Sequence, residues 1–437
     1  MKYNDLVLLR DKLVEIGLIN EVENISKFLK MIKPYMIQNI LKLSKEDVQA
    51  FENDKKVLIN INFLKSDNYL SDINTLRNNQ DKRLILCELF QSSSFLNSKY
   101  HNEDLNMIIK CKFPSLLKNL AVDGVSIKNI YHKADMELLD KYIRKVGFKG
   151  YDVSNEYIRY VTHPNSIKSP YHDKDKKTIL TAPDGFKAGI LCDVAINNSS
   201  ITSENHESDI SIIRKCDNYA ALLKLGQLAV NNKSLASENH KFDMILLAGC
   251  KDEEHLEGLF NVATSKLSIF SEHHISDMNI IANCDKKENI KYLSVLATND
   301  LSIKSKNHEV DMQILFLCPS DCAKKLCTIL SNNKLLNYDN RDKIINKLMM
   351  QKENISSVLE NFIFLLRVLQ ESDYTNFLDE INKFSARDLQ HIIFEYKSSF
   401  GKVSNELTNE QKMNIFIKNA QMYHDSNDEI PSNTFKI

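Results

Sequence analysis

The sequence predicts an all-α fold: a right-handed α-solenoid, or superhelix, of stacked helical hairpins closed by helical end caps. Three observations lead there. A short motif returns seven times along the chain. Glycine and proline, which punctuate turns and β-rich folds, number only 10 and 7 in 437 residues. Apolar residues between the motifs recur at helical period rather than in the alternation of a strand.

The motif is plainest in four consecutive copies. These are Ser203-Glu204-Asn205-His206, Ser237-Glu238-Asn239-His240, Ser271-Glu272-His273-His274 and Ser305-Lys306-Asn307-His308, spaced by 34 residues. Three looser copies precede them, centred on His101 (with Ser98), His132 and His172 (with Ser169), and the intervals from each to the next are 31, 40 and 34. Every one of these His residues is followed three positions later by Asp: Asp104, Asp135, Asp175, Asp209, Asp243, Asp277 and Asp311. One hairpin cannot bury both of its faces, so units of this length stack on their neighbours into a continuous core.

Each unit reads as two helices. The first is expected to begin at the Ser, whose side-chain oxygen can cap a first-turn N–H. An apolar stripe follows the Asp, as in Met244, Leu246 and Leu247. Ten residues after the His stands Cys111, Cys216, Cys250, Cys284 or Cys318, close to the same helix face and expected to pack as a small hydrophobe. After a polar turn such as Lys251-Asp252-Glu253, the second helix carries Leu256, Leu259, Val262 and Ala263 inward. Ala229, Ala263 and Ala297 mark where helices should approach closely. A loop with Ser234-Leu235, Ser268-Ile269 or Ser302-Ile303 leads onward. Its apolar residue is expected to plug the groove between repeats.

The repeats occupy residues 81–337. Residues 1–80 and 338–420 read as helical caps that lose the motif, and 421–437 as a polar, flexible tail. The segment 147–185 is irregular, with Gly147, Gly150, Pro164, Pro170 and Pro183, and with Lys176 where other copies are apolar. It reads as a kink or an inserted loop.

In repeat length and hairpin plan this stretch is similar to tetratricopeptide repeats. It lacks the Trp/Gly/Tyr/Ala/Pro signature of that family. The resemblance therefore implies an architecture and transfers no functional residue.

The His–Asp array invites a metal or catalytic reading. Repetition argues for structure instead, since a catalytic site is needed once and a packing device at every joint. The expected metal set is none: His and Cys of one unit are 10 residues apart, about 15 Å along a helix, far beyond the reach of shared zinc ligation. No phosphate-loop, dinucleotide-binding, zinc-protease or serine-hydrolase motif occurs, so the expected catalytic set is also none, with no cofactor.

Positions that vary between copies are free to specify a partner. Lys241, Phe242, Ile245, Ile275, Asn279 and Gln313 are the candidate binding surface, several being apolar where their counterparts are polar. The charge is balanced, 57 basic against 58 acidic residues, which gives no electrostatic pull toward nucleic acid. The leading expectation is a scaffold or adaptor for a protein or peptide, of which a bacterial effector is one version. The alternatives are a nucleic-acid-binding helical repeat, or an enzyme with its site in an end cap or in 147–185. No apolar run is long enough to span a membrane. The N-terminus does not read as a signal peptide. Reduced thiols suggest a cytoplasmic setting, with export by a signal-free route still compatible.

Overall fold

The computed structural model describes residues 3–22, 25–250, 252–350, 355–368 and 374–386, with 389 and 411. The tail read at 421–437 and most of the C-terminal cap after 386 lie outside the described residues. Among the described residues all regular structure is helical. The chain forms two compact units, Met1–Lys215 and Cys216–Ile437. In each, helices pack against those adjacent in sequence.

The unit Cys216–Ile437 shows the repeat at its most regular. His274–Ala282 is a first helix and Lys287–Ala297 a second. Met278 and Ile281 on the first, and Ile290, Leu293, Leu296 and Ala297 on the second, are almost wholly removed from solvent. Second helices stack on one another, Glu253–Thr264 on Lys287–Ala297 and that on Ala323–Leu330. Ala263 and Ala297 are fully buried at these contacts. At Gly258 a Cβ would stand 2.7 Å from the Ile290 side chain, so the close approach requires glycine.

Two expectations about local structure are corrected. The first helices begin at the His, as in His206–Lys215, His240–Ala248 and His308–Leu317, not at the Ser three residues earlier. Each Ser instead closes a tight turn. Ser203 Oγ accepts from Asn205 N–H at 3.1 Å, Ser237 Oγ from Asn239 N–H at 3.1 Å, and Ser305 Oγ from Asn307 N–H at 3.2 Å. Ser forms this local bond two residues ahead as readily as it caps a helix. Ser98, Ser169 and Ser271 do the same.

The connecting loop is itself a short third helix: Asn198–Ile201, Asn232–Leu235, Lys266–Ile269 and Asp300–Ile303. In three of these, Asn197, Asn231 or Asn299 caps the N-terminus by accepting two backbone N–H groups. The groove is filled by the Ser of this helix rather than its apolar neighbour. Ser200, Ser234, Ser268 and Ser302 are fully buried, whereas Leu235 and Ile303 are half-buried and only Ile269 is buried.

In the unit Met1–Lys215 the 40-residue interval is mainly helical rather than an inserted loop. His132–Val146 runs to 15 residues, where His101–Lys110 has 10. It ends at Gly147, whose φ of 62° is the left-handed conformation that glycine adopts without strain. A short 3-10 turn, Gly147–Gly150, leads into Tyr151–Val161. Pro164 opens the next short helix at its first position, and Asp184 caps Gly185–Ile196 by accepting from Lys187 N–H at 2.9 Å. The residues that looked like breaks in the sequence are helix starts and stops.

Candidate functional site

The His and Asp of the motif meet, but not within one copy. Each sits on a first helix, His at its first position and Asp one turn later. The His Nε2 reaches back to the Asp of the preceding repeat. In Met1–Lys215, His132 lies 2.9 Å from Asp104 and His206 3.0 Å from Asp175. In Cys216–Ile437, His274 lies 2.9 Å from Asp243 and His308 2.9 Å from Asp277. All eight residues are buried. His240 and Asp209 are fully buried as well.

The other ring nitrogen bonds to the buried Ser of the short segment six residues earlier. Nδ1 of His132, His206, His240, His274 and His308 lies 2.8, 2.9, 2.8, 3.3 and 2.9 Å from Oγ of Ser126, Ser200, Ser234, Ser268 and Ser302. The partners fix the tautomer. A carboxylate only accepts, so Nε2 carries the proton and donates it. The lone pair on Nδ1 then receives the Ser hydroxyl. At His132, His206, His274 and His308 the bonds thus run from Ser to His to the neighbouring repeat's Asp. This Ser stands six before the His in six of the seven copies, Phe95 replacing it before His101, and the sequence pattern placed Ser234, Ser268 and Ser302 only in a connecting loop.

Burial pushes the carboxyls of Asp72, Asp104 and Asp243 above the usual range, with the bond from His pulling them back down. A carboxylate without a donor in such a place would be costly. The imidazole N–H supplies one donor at each joint.

The array extends one rung beyond the seven copies at each end. His101 pairs with Asp72 at 2.9 Å. Ser66, Tyr69 and Asp72 occupy the Ser, His and Asp positions, Ser66 Oγ accepting from Asn68 N–H at 3.2 Å and Tyr69 starting its helix. At the other end Arg341, 1% exposed, starts the Arg341–Met349 helix and pairs with Asp311. These residues were missed because the chemistry persists where the identity of the His does not.

One rung is rewired. His172 Nδ1 faces the Ser166 carbonyl oxygen at 3.1 Å. Its Nε2 stands 3.4 Å from Asp135 and makes no hydrogen bond. Lys176 replaces it, its Nζ 2.8 Å from Asp135 Oδ1 and 2.6 Å from Asp173. The lysine that looked misplaced among apolar positions is the donor that this carboxylate requires.

A second set of bonds crosses the joints. The last carbonyls of a first helix lack intrahelical partners, and side chains of the preceding repeat serve them. Lys187 Nζ donates to Arg214 O at 3.0 Å, Asn218 Nδ2 to Cys250 O at 3.2 Å, and Lys286 Nζ to Cys318 O at 2.9 Å. The cysteine column lies just past each first helix rather than on its face, at the C-cap in Cys111 and Cys318. The nine cysteines are free and eight are buried. Burial pushes the thiols up, Cys318 to about 12 and Cys250 to about 11. Among the described residues no three His, Cys, Asp or Glu side chains are arranged to hold a metal ion.

The candidate contact residues fall on the opposite side of the first helices. Lys241, Ile245, Ile275, Asn279 and Gln313 are exposed, and Phe242 is half-buried. All but Phe242, which stands two after His240, belong to a stripe at one, five and nine residues after the His, which ends in Leu317 in the last copy. Ile245 and Ile275 are 56% and 48% exposed, and Leu317 67%.

No protein-family model, no curated protein and no solved structure matches the chain. The fold and the buried rungs define it as an all-helical repeat protein. No described helix is long and apolar enough to cross a membrane.

Proposed function

We propose that the chain is a non-catalytic interaction scaffold that binds a protein or peptide along the exposed stripe of its first helices. The observation that carries this reading is a division of labour within each helix. His and Asp are spent on buried joints, while the positions one, five and nine after the His face solvent and differ from copy to copy. In the unit Cys216–Ile437 that stripe reads Lys241, Ile245, Gly249, then Ile275, Asn279, Asn283, then Glu309, Gln313, Leu317. A surface that varies on an invariant frame suits partner recognition by repeat arrays, and its exposed aliphatics suit a protein rather than a phosphate backbone. The free thiols support a reducing, cytoplasm-like compartment.

The test compares full-length protein with Ile245→Asp/Ile275→Asp/Leu317→Asp in native-lysate capture, with and without nuclease, read by mass spectrometry. The substituted side chains are exposed, so the thermal melt should be unchanged. A stoichiometric, nuclease-resistant partner that binds the wild type at least about tenfold better than the variant supports the scaffold. Partners recovered equally by both proteins, or lost on nuclease treatment, overturn it.

A further inference from the structure

The stretch where the repeat lengthens to 40 residues also carries a pocket. Within the unit Met1–Lys215, the end of His132–Val146, the Gly147–Gly150 turn and the end of His172–Leu180 surround a cavity of about 640 Å³. That is the size of a small-molecule site. Its floor is apolar, with Val153, Leu180 and Ala182 buried, and half-buried Tyr142 forms part of one wall. Gly150 shapes that wall: a Cβ there would stand 2.3 Å from Val146 and 2.8 Å from Tyr142 side-chain atoms.

The rim is cationic. Lys141, Lys145, Lys149 and Lys177 line the cavity, and no Asp or Glu does. All four lysines are exposed, and none pairs with a carboxylate among the described residues. This is unlike nearby Lys133 and Lys174, which pair with Glu103 at 3.0 Å and Glu207 at 2.7 Å. Lys141 and Lys145 stand four apart on the helix, which puts like charges on consecutive turns and destabilises the helix end, and Lys149 adds a third in the turn that follows. A helix dipole favours cations in a last turn, which accounts for Lys145 and Lys177. It does not account for Lys141, a turn earlier, or Lys149, beyond the helix. An anion held among them would relieve the repulsion.

We propose that this pocket binds a small organic phosphate bearing several negative charges and a flat apolar part, of the class of nucleoside polyphosphates. Four cations call for several negative charges in a small volume, which a polyphosphate supplies and a single carboxylate does not. Lysine binds phosphate as a mobile point charge. The apolar floor and the Tyr142 ring provide a surface for the base or a comparable ring. The pocket takes in stripe positions of its own unit, Lys141 nine after His132 and Lys177 five after His172, but the docking test alters only Ile245, Ile275 and Leu317 in the other unit, so the two readings fail independently.

The test is calorimetric titration of the full chain at low ionic strength with three probes: ATP, inorganic tripolyphosphate and adenosine. One site for ATP is expected, with weaker binding of tripolyphosphate, little binding of adenosine, and weakening as salt is raised. Lys141→Glu/Lys149→Glu should reduce ATP affinity at least about tenfold, whereas Lys128→Glu/Lys233→Glu, a reversal of two exposed lysines elsewhere, should leave it unchanged. If the pocket double variant fails to fold, Lys177→Glu alone replaces it. Absence of ATP binding, or equal losses in the pocket and control variants, overturns the site. Tripolyphosphate binding as tightly as ATP overturns the nucleoside class. An acidic peptide that binds at the pocket while ATP does not overturns the small-molecule reading.

Discussion

The two units solve the same problem at different levels of uniformity. In Cys216–Ile437 the copies keep a 34-residue period, and His274 and His308 each hold one Ser and one Asp. In Met1–Lys215 the intervals vary. The Nδ1 partner is a carbonyl for His101 and His172 but a hydroxyl for His132 and His206. The residue before the His also differs. Tyr100, Tyr131 and Tyr171 lie against His132, His172 and His206 with ring centroids 4.9, 4.5 and 4.5 Å apart; in the other unit Asn239 and Asn307 hold this place, and His273 does so with its ring 4.9 Å from that of His308. What stays fixed is a proton donor for each buried carboxylate. Repeat length, the partner of Nδ1 and even the identity of the donor are negotiable around it.

The rewired rung offers the strongest test of that rule. Lys176→Met should leave Asp135 buried beside an imidazole nitrogen that stands 3.4 Å away and makes no hydrogen bond to it. The expected loss is about 3 to 5 kcal/mol, the usual cost of orphaning a buried charge. Adding Asp135→Asn should recover much of it. Denaturant titration of the three proteins decides the matter. An equally severe double variant would show that Lys176 matters for packing alone.

The regular unit should respond less but with the same logic. His274→Ala removes the donor to Asp243 and opens a cavity, at an expected cost of about 2 to 4 kcal/mol. In a double-mutant cycle His274 should couple to Asp243 by about 1 to 3 kcal/mol. Coupling to Asp277, one turn along its own helix, should be weaker because Asp277 serves His308. The reverse order of coupling energies would mean that the joint between repeats is not where these residues act.

That contrast marks how far the sequence could be read. The period, the helical class, the alignment of His with Asp and the solvent-facing stripe all follow from repetition, because a feature present in every copy stands out without a structure. The pairing does not follow. His274 is three residues from Asp277 and 31 from Asp243, and helical spacing alone brings the wrong Asp to mind. The Ser was misassigned for a related reason: a Ser before a helical pattern can cap the helix or close a turn one step earlier, and both satisfy one N–H. Tyr69 and Arg341 were hidden by substitution, although Ser66 and Asp72 kept the spacing around Tyr69. The lysine pocket left no periodic trace, being built once, between the copies of His132 and His172.

The terminal rung adds a pH dependence that the imidazole rungs can be measured against. Burial raises the Asp311 carboxyl to about 6 despite Arg341 beside it. In the unfolded chain it titrates near its ordinary value, about 4. Between those two values the folded protein keeps a proton that the unfolded chain has released. The stability due to that proton is complete below pH about 4 and is lost as pH rises through about 6. Relative to Asp311→Asn/Arg341→Leu, which carries neither charge, the wild type should therefore lose roughly 2 to 3 kcal/mol between pH 4 and pH 7. A difference that stays flat with pH would mean that Asp311 is already ionised at the acid end.

The smallest expected effect transfers a feature from one unit to the other. Asn239 precedes His240 in the same relation that Tyr131 bears to His132, and Tyr131 covers the ring of the next repeat's His172. If the stacked Tyr is an independent part of the joint, Asn239→Tyr should place a ring over His274 and raise stability by about 0.5 to 1 kcal/mol, the range of aromatic pairs. The same change tests whether the regular unit has room for it, since Asn239 is half-buried. A gain in the melt, abolished when His274 is also replaced, would show that the stack is portable between copies. A loss would show that Tyr is tolerated only in the unit whose spacing is looser, and that stacking and irregular repeat length go together.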